Sequence, residues 1–382
     1  MTAQRAMLST WVPRLLGAWR RIARRPGGEA LSRDELDHVA RAVGTLSHGL
    51  TRDRALAGAR YLDDPALLGA YLLLWWPVSY AQGSSVFGEL VGGVRGRVVD
   101  LGCGPGPLAC AALDAGAAEV IALDRSARAV EALGAIAGDE PRLARRVISL
   151  DENIPREVDG ADLVLLGHVV NELWGDDAKG LERRAAFLDG ILRRLAPGGR
   201  LVVIEPALRE TSRALLAVRD RLVAGGAVIH APCLYRGACP ALARESDWCH
   251  AERAWDPPAL VDELSRAARL HKESLKMTYL VLGAPGSAWP APPSGRLFRI
   301  VSEPLDEKGR ARRIGCGPEG RVALTLPTKR VSDATRAFLD LARGDVARLS
   351  GTLTARGDGL RLEEDATVER VARVGEPVTS GG

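Results

Sequence analysis

Between Val98 and Pro107 the chain runs Val-Val-Asp-Leu-Gly-Cys-Gly-Pro-Gly-Pro, and no other feature limits the choice of fold so tightly. A hydrophobic stretch that breaks into alternating glycines and then enters an Ala- and Leu-rich helix is the opening unit of a parallel α/β sheet. Glycine is needed in such a turn because a side chain would hold the backbone away from a ligand and penalise positive φ. A dinucleotide-binding loop would place glycine at position 107, where this chain has Pro107, so the pyrophosphate fingerprint fails.

The acid at Asp100, two residues before Gly102, suits instead a ligand whose amino group is cationic, and S-adenosylmethionine (SAM) is such a ligand. Short β-branched runs at 97–101, 119–124, 146–151, 161–170 and 200–205 alternate with stretches long enough for crossover helices. A helix near 209–223, another at 258–270 and a strand at 277–282 complete the pattern. Asp124 ends the second run, where a carboxylate accepts both hydroxyls of a ribose. Asp151 ends the third and is placed to meet an adenine amino group, with Leu150 against the ring. The expected fold is therefore α/β, a class I SAM-dependent methyltransferase with a Rossmann-like, mostly parallel sheet. Its cofactor contacts would be Asp100, Gly102, Gly104, Gly106, Asp124, Leu150 and Asp151.

After the fourth run comes Gly167-His168-Val169-Val170-Asn171-Glu172-Leu173. A base-amine methyltransferase would often carry Asp/Asn-Pro-Pro-aromatic here, and this chain does not. His168 and Glu172 are the candidate general bases.

The 382 residues predict a helical N-terminal domain over 1–85 and a SAM-binding domain over 86–284 carrying an inserted segment at 227–256. A Pro-rich linker at 285–295, a small β-rich C-terminal domain at 296–374 with one helix around 332–343, and a disordered tail at 375–382 follow. In the first domain Leu8, Trp11, Leu15, Leu16 and Trp19 fit one helical face beside many arginines, and Ser32 with Glu35 forms a capping box. The longest apolar run, 67–80, is short and broken by Pro77, so no membrane span is expected. With 52 basic against 48 acidic residues, the net charge of +4 permits nucleic-acid contact without demanding it. No convincing signal or transit peptide precedes the first helix, and the expected location is the cytoplasm.

Six cysteines in a chain without a secretory signal argue for thiols as ligands or core residues rather than disulfides. Cys103 and Cys110 sit in the glycine loop and its helix and are expected in the core. Cys233, Cys239 and Cys249 fall in one irregular segment, and Cys316 lies far downstream. Four thiolates can hold zinc or an iron–sulfur cluster. The wide gaps and Pro240 directly after Cys239 lean toward the cluster. Zinc, with His250 as a substitute ligand, and scattered structural thiols remain open.

The glycine loop, the 168–173 segment, Glu205-Pro206, the block from Ala231-Pro232-Cys233 to Trp248-Cys249-His250, and Cys316-Gly317-Pro318-Glu319-Gly320 together resemble one family. It is the methyltransferase-like family of mitochondrial small-ribosomal-subunit assembly factors and their bacterial relatives, and the resemblance covers roughly residues 35–350. The resemblance implies a SAM-binding class I fold, association with the small ribosomal subunit and its rRNA, and a [4Fe-4S] cluster on Cys233, Cys239, Cys249 and Cys316. Three functions follow as expectations: an rRNA methyltransferase, a scaffold that binds SAM without methyl transfer, and a small-molecule methyltransferase. For the first two, phosphate contacts would come from the N-terminal arginines and from Lys329-Arg330.

Overall fold

A computed structural model describes residues 2–150, 153–270, 272–290 and 293–378. Helices α1 (Ala3–Ala23), α2 (Arg33–Thr51), α3 (Pro65–Ala70) and α4 (Trp76–Phe87) come first, the last two joined by a π-turn at Tyr71–Trp75. The apolar side chains predicted for one face of α1, Leu8, Trp11, Leu15, Leu16 and Trp19, are all buried. Ser32 and Glu35 close the capping box of α2 from both sides. The arginines of α1 are partly spent inside the molecule: Arg20 is buried 3.5 Å from Glu35, and Arg5 pairs with Asp256 at 3.4 Å. These helices share one apolar core with Val98, Ala109 and Val281 of the sheet region. Among the described residues no helix is long and apolar enough to cross a membrane.

The sheet strands are β1 (Arg97–Leu101), β2 (Glu119–Asp124), β3 (Leu143–Val147), β4 (Leu163–Gly167), β5 (Arg200–Pro206), β6 (Val228–Ala231), β7 (Ala251–Ala254) and β8 (Ser274–Gly283). Helices α5 (Pro107–Asp114), α6 (Ala127–Ala137), α7 (Ala178–Leu192), α8 (Arg209–Ala224) and α9 (Ala259–Ala267) connect them. The order is β3-β2-β1-β4-β5-β8-β6, with the first five strands parallel and β8 antiparallel to both β5 and β6. The winding direction reverses between β1 and β4, and such a switch point opens a ligand crevice at the carboxyl ends of the strands.

Three local expectations are corrected. The third strand starts earlier than 146–151, because β3 is an edge strand with exposed Arg145, Arg146 and Val147, while the apolar run that suggested a strand lies mostly beyond its last pairing, Asp124 with Val147. The segment 227–256 is not only loop: β6 and β7 both pair with β8, though four residues each are too few to show a period. The helix expected at 332–343 is a 3-10 turn at Arg336–Asp340. Thr335 Oγ1 accepts from Ser332 N at 2.9 Å, a local bond that competes with helix formation, and Phe338 and Leu341 point into a β core instead.

That core belongs to a second sheet of β9 (Arg296–Ile300), β10 (Arg310–Gly317), β11 (Gly320–Pro327), β12 (Val346–Ser350), β13 (Leu353–Arg356), β14 (Gly359–Leu362) and β15 (Thr367–Ala372). Its order is β13-β14-β11-β10-β9-β12-β15. The expected tail begins at Gly375, and its residues 379–382 lie outside the described residues.

Candidate functional site

The glycine loop leaves β1 at the switch point and folds back on β2: Gly102 N and Cys103 N both donate to the Leu123 carbonyl, at 2.7 and 3.0 Å. Gly102 has φ +71, and a Cβ there would stand 2.5 Å from Val169, so the sequence has no freedom at this position. Gly106, at φ +77, starts α5 where a Cβ would strike Leu133. Cys103 and Cys110 are buried, as expected.

A pocket over this loop is lined by Gly102, Gly104, Asp124, Leu150, His168 and Glu172. Thus two of the three predicted glycines, one of the three predicted acids, Leu150 and both candidate bases are brought together. Gly106 acts one step back, as the start of α5. Asp100 is also set back: it is 1% exposed, its Oδ2 has no hydrogen-bond partner among the described residues, and burial with Asp124 nearby pushes its pKa up to about 7. Asp151 lies outside the described residues. Asp124 is already half engaged, with Oδ2 accepting from Gly104 N at 2.7 Å and Oδ1 from Ser126 N at 2.8 Å.

The opposite wall comes from the turn after β4. His168 has φ +61, unusual for a residue with a side chain, and its Nε2 faces Gln82 Oε1 at 2.9 Å. Burial lowers its pKa to about 4, with Lys272 adding to the effect, so the imidazole is neutral. Glu172 sits on a 3-10 turn, and burial raises its pKa to about 7 against the opposing pull of Arg125. Glu205, at the end of β5, holds that turn by accepting from Val170 N at 2.8 Å and Asn171 N at 3.3 Å. It is 1% exposed, and burial raises its pKa to about 8.

Sequence reasoning missed Gln82 and Arg125 altogether, and gave Glu205 no role of its own. Arg125 donates to the carbonyls of Gly58 and Ala59 at 2.9 and 2.6 Å, which draws the segment before α3 over the pocket, and Ala59, Arg60, Tyr61 and Leu62 become part of its wall. Gln82 is the one carboxamide in a largely apolar helix, and that anomaly was the available signal.

At the far end of the sheet Cys233, Cys249 and Cys316 line one cavity together with Arg253, Arg299 and Arg343. The thiols are mutually close enough to perturb one another: burial first and then Cys233 raise Cys239 to about 12 and Cys249 to about 11, and push Cys316 higher. All four are free thiols. Among the described residues no group of three or more His, Cys, Asp or Glu is gathered closely enough to hold a metal ion. His250, the substitute ligand considered for zinc, directs Nε2 to Glu252 Oε1 at 2.9 Å and stacks on Trp248.

Five parallel strands, an antiparallel β8 inserted between β5 and β6, and a glycine loop at the switch point define a class I SAM-dependent methyltransferase fold. Within that class, the chain belongs to the family described as mitochondrial small ribosomal subunit Rsm22, whose family model matches residues 94–348. Among solved structures it is similar to the N-methyltransferase NodS from Bradyrhizobium japonicum WM9 in complex with S-adenosyl-L-homocysteine, at 13% identity and a TM-score of 0.38, covering 64% of this chain and 98% of that one. It is also similar to a SAM-dependent methyltransferase from Leishmania major, at 14% identity and a TM-score of 0.37, covering 67% and 87%. At these TM-scores the likenesses add nothing to what the strand order establishes. No curated protein matches the chain's sequence.

Proposed function

We propose that the chain binds SAM over its glycine loop and acts on, or helps to assemble, the small ribosomal subunit in the cytoplasm, in contact with rRNA. The observation that carries this reading is Asp100, a buried carboxyl one step behind the pocket whose Oδ2 has no partner among the described residues, beside glycines that leave room for a ligand backbone. Such a group costs free energy unless a ligand meets it, and a cationic amino group is the fitting partner. Bound SAM supplies an electrophilic methyl group on a sulfonium. The protein's part is to position the partners and take up a proton. Gly102 and Gly104 admit the ligand, Asp124 has lone pairs left for ribose hydroxyls, and Leu150 offers an apolar face. Glu172, with a pKa near working pH, is matched to accepting a proton from the methylated group. Exposed Arg24, Arg25 and Lys329 are the proposed phosphate contacts, whereas Arg330 is occupied by Glu363.

Cys233, Cys239, Cys249 and Cys316 would hold a [4Fe-4S] cluster of structural role. What supports this is the donor set and its surroundings: three of the thiols line one cavity with Arg253, Arg299 and Arg343, and the Nε atoms of the first two are buried without a partner among the described residues.

A scaffold that binds SAM without methyl transfer is the second reading, favoured by the lack of an amine-methylation motif after β4. Titration of SAM and of small-subunit rRNA into the full chain and into Asp100→Ala separates them. The enzyme reading expects SAM binding weakened at least about tenfold by the substitution and methyl transfer to rRNA by the unaltered chain. RNA binding without any transfer would leave the scaffold. Iron, sulfide and zinc analysis of protein purified without oxygen tests the cluster, which colourless protein carrying one zinc would eliminate.

A further inference from the structure

We infer that a second cavity, behind the His168 wall of the SAM pocket, receives the methyl acceptor as a nucleobase, whose hydrogen-bond donor is met by Nδ1 of His168 in a tautomer dictated by Gln82. This rests on the reading of the chain as an RNA-directed, SAM-binding protein. The cavity measures about 280 Å³ and lies among α2, α4 and the turns that follow β4 and β5. Tyr61, Tyr71, His168 and Glu172 line both cavities, so the two adjoin beside these side chains, where an acceptor atom would reach the methyl group directly.

The tautomer follows from a chain of hydrogen bonds. Gln82 Nε2 donates to the Lys276 carbonyl at 3.1 Å, which fixes the amide and turns Oε1 toward His168. A carboxamide oxygen only accepts, so the proton of His168, 2.9 Å away, sits on Nε2. Nδ1 then carries a lone pair, and it is buried with no partner among the described residues. The residue is held in this pose at φ +61, a conformation whose cost a functional constraint would explain. Burial keeps the ring neutral down to about pH 4, so the lone pair persists across the physiological range. What it lacks is an N–H or O–H donor, and a buried acceptor left empty is costly.

The remaining lining selects the kind of donor. Trp75 lines this cavity and not the SAM pocket, and the Lys272 ammonium stands over its ring, 5.1 Å from the centroid. Lys276, also on the lining, is exposed. An aromatic ring, a hydrogen-bond acceptor and one exposed cation, Lys276, match a base with its phosphate outside. Gln82 is accordingly a positioning residue. It lines the second cavity but not the SAM pocket, and it acts on the base through the imidazole that it orients.

The test uses the full chain with ¹⁵N-labelled histidine, saturated with S-adenosylhomocysteine so that the first pocket is filled, and titrated with AMP, GMP, CMP and UMP. Before titration the His168 resonances should report an Nε2–H tautomer. At least one nucleotide should bind and shift Nδ1, the atom that gains a donor. Gln82→Leu should mix the tautomers and weaken that nucleotide about tenfold. Trp75→Ala should weaken it while leaving S-adenosylhomocysteine affinity unchanged, and it keeps the test alive if Gln82→Leu fails to fold. If none of the four nucleotides moves the Nδ1 resonance, or if the free protein shows an Nδ1–H tautomer, the inference falls. Failure of S-adenosylhomocysteine to bind would instead remove the cofactor reading, and the nucleotide titration would still judge the second cavity.

Discussion

Asp100, Glu172 and Glu205 all hold their protons more tightly in the folded chain, to about 7, 7 and 8, chiefly because burial disfavours their charged forms. Their ordinary values are 3.8 for the aspartate and 4.5 for the glutamates. Between pH 5 and 8 the unfolded chain has therefore released protons that the folded chain keeps. Stability falls as pH rises through this window and levels off above it. Ligand-free protein is expected to melt at a lower temperature at pH 8 than at pH 5.5, and Asp100→Asn to flatten the slope and gain a few kcal/mol at pH 8. Thermal melts across that range check it, and a parallel slope in the variant would mean that Asp100 is ionised when buried. Legibility at this scale was uneven. Asp100 and the glycines were visible because a loop with fixed spacing imposes them. Glu205 and Gln82 were not, because their importance lies in what they hold, the Glu172 turn and the His168 ring, and sequence spacing does not encode such pairings.

Elements were legible where burial imposes a period. The strands β1, β2 and β5 sit close to their predicted bounds because both faces are covered, whereas edge strand β3, flanked on one side only, was displaced. The segment between α2 and α3 falls within the stretch expected to be helical, yet it is a run of turns that forms a wall of the SAM pocket. Arg125 secures it through the Gly58 and Ala59 carbonyls, and Ser126 Oγ adds a bond of 2.6 Å to Asp63. Arg125→Ala should speed amide exchange across residues 55–63 and weaken SAM about three- to tenfold, with little change in global stability. Exchange mass spectrometry reads the first effect and calorimetry the second. Unchanged exchange would show that the helices alone hold the segment.

In the whole molecule the two sheets meet over a buried ion triad. Glu89, just after α4, lies 2.5 Å from Arg253 on β7 and 3.4 Å from Arg299 on β9, all three nearly inaccessible to solvent. Glu89→Ala leaves two buried guanidiniums without their acid and is expected to cost about 3–5 kcal/mol, measured by urea unfolding. A smaller loss would mean that water or the neighbouring carbonyls replace the carboxylate. Cys316→Ser should expose the 284–295 segment to limited proteolysis if a cluster ties β10 to the first sheet, and an unchanged digestion pattern would show that the triad suffices alone. The sequence announced the cysteines through their unusual spacing. It gave no hint of the triad, since Glu89 and Arg253 are 164 positions apart and each resembles a surface charge.

That separation also has a consequence in time. During synthesis Glu89 emerges 164 residues ahead of Arg253, so at roughly 5–20 residues per second it waits about 8–30 s for its first partner and longer for Arg299. Until then the end of α4 must stay hydrated, and the helix that carries Gln82 cannot settle into its final seat. The nascent chain is thus a slow closer: its N-terminal helices remain open to chaperones until most of the second sheet's first strand has been made.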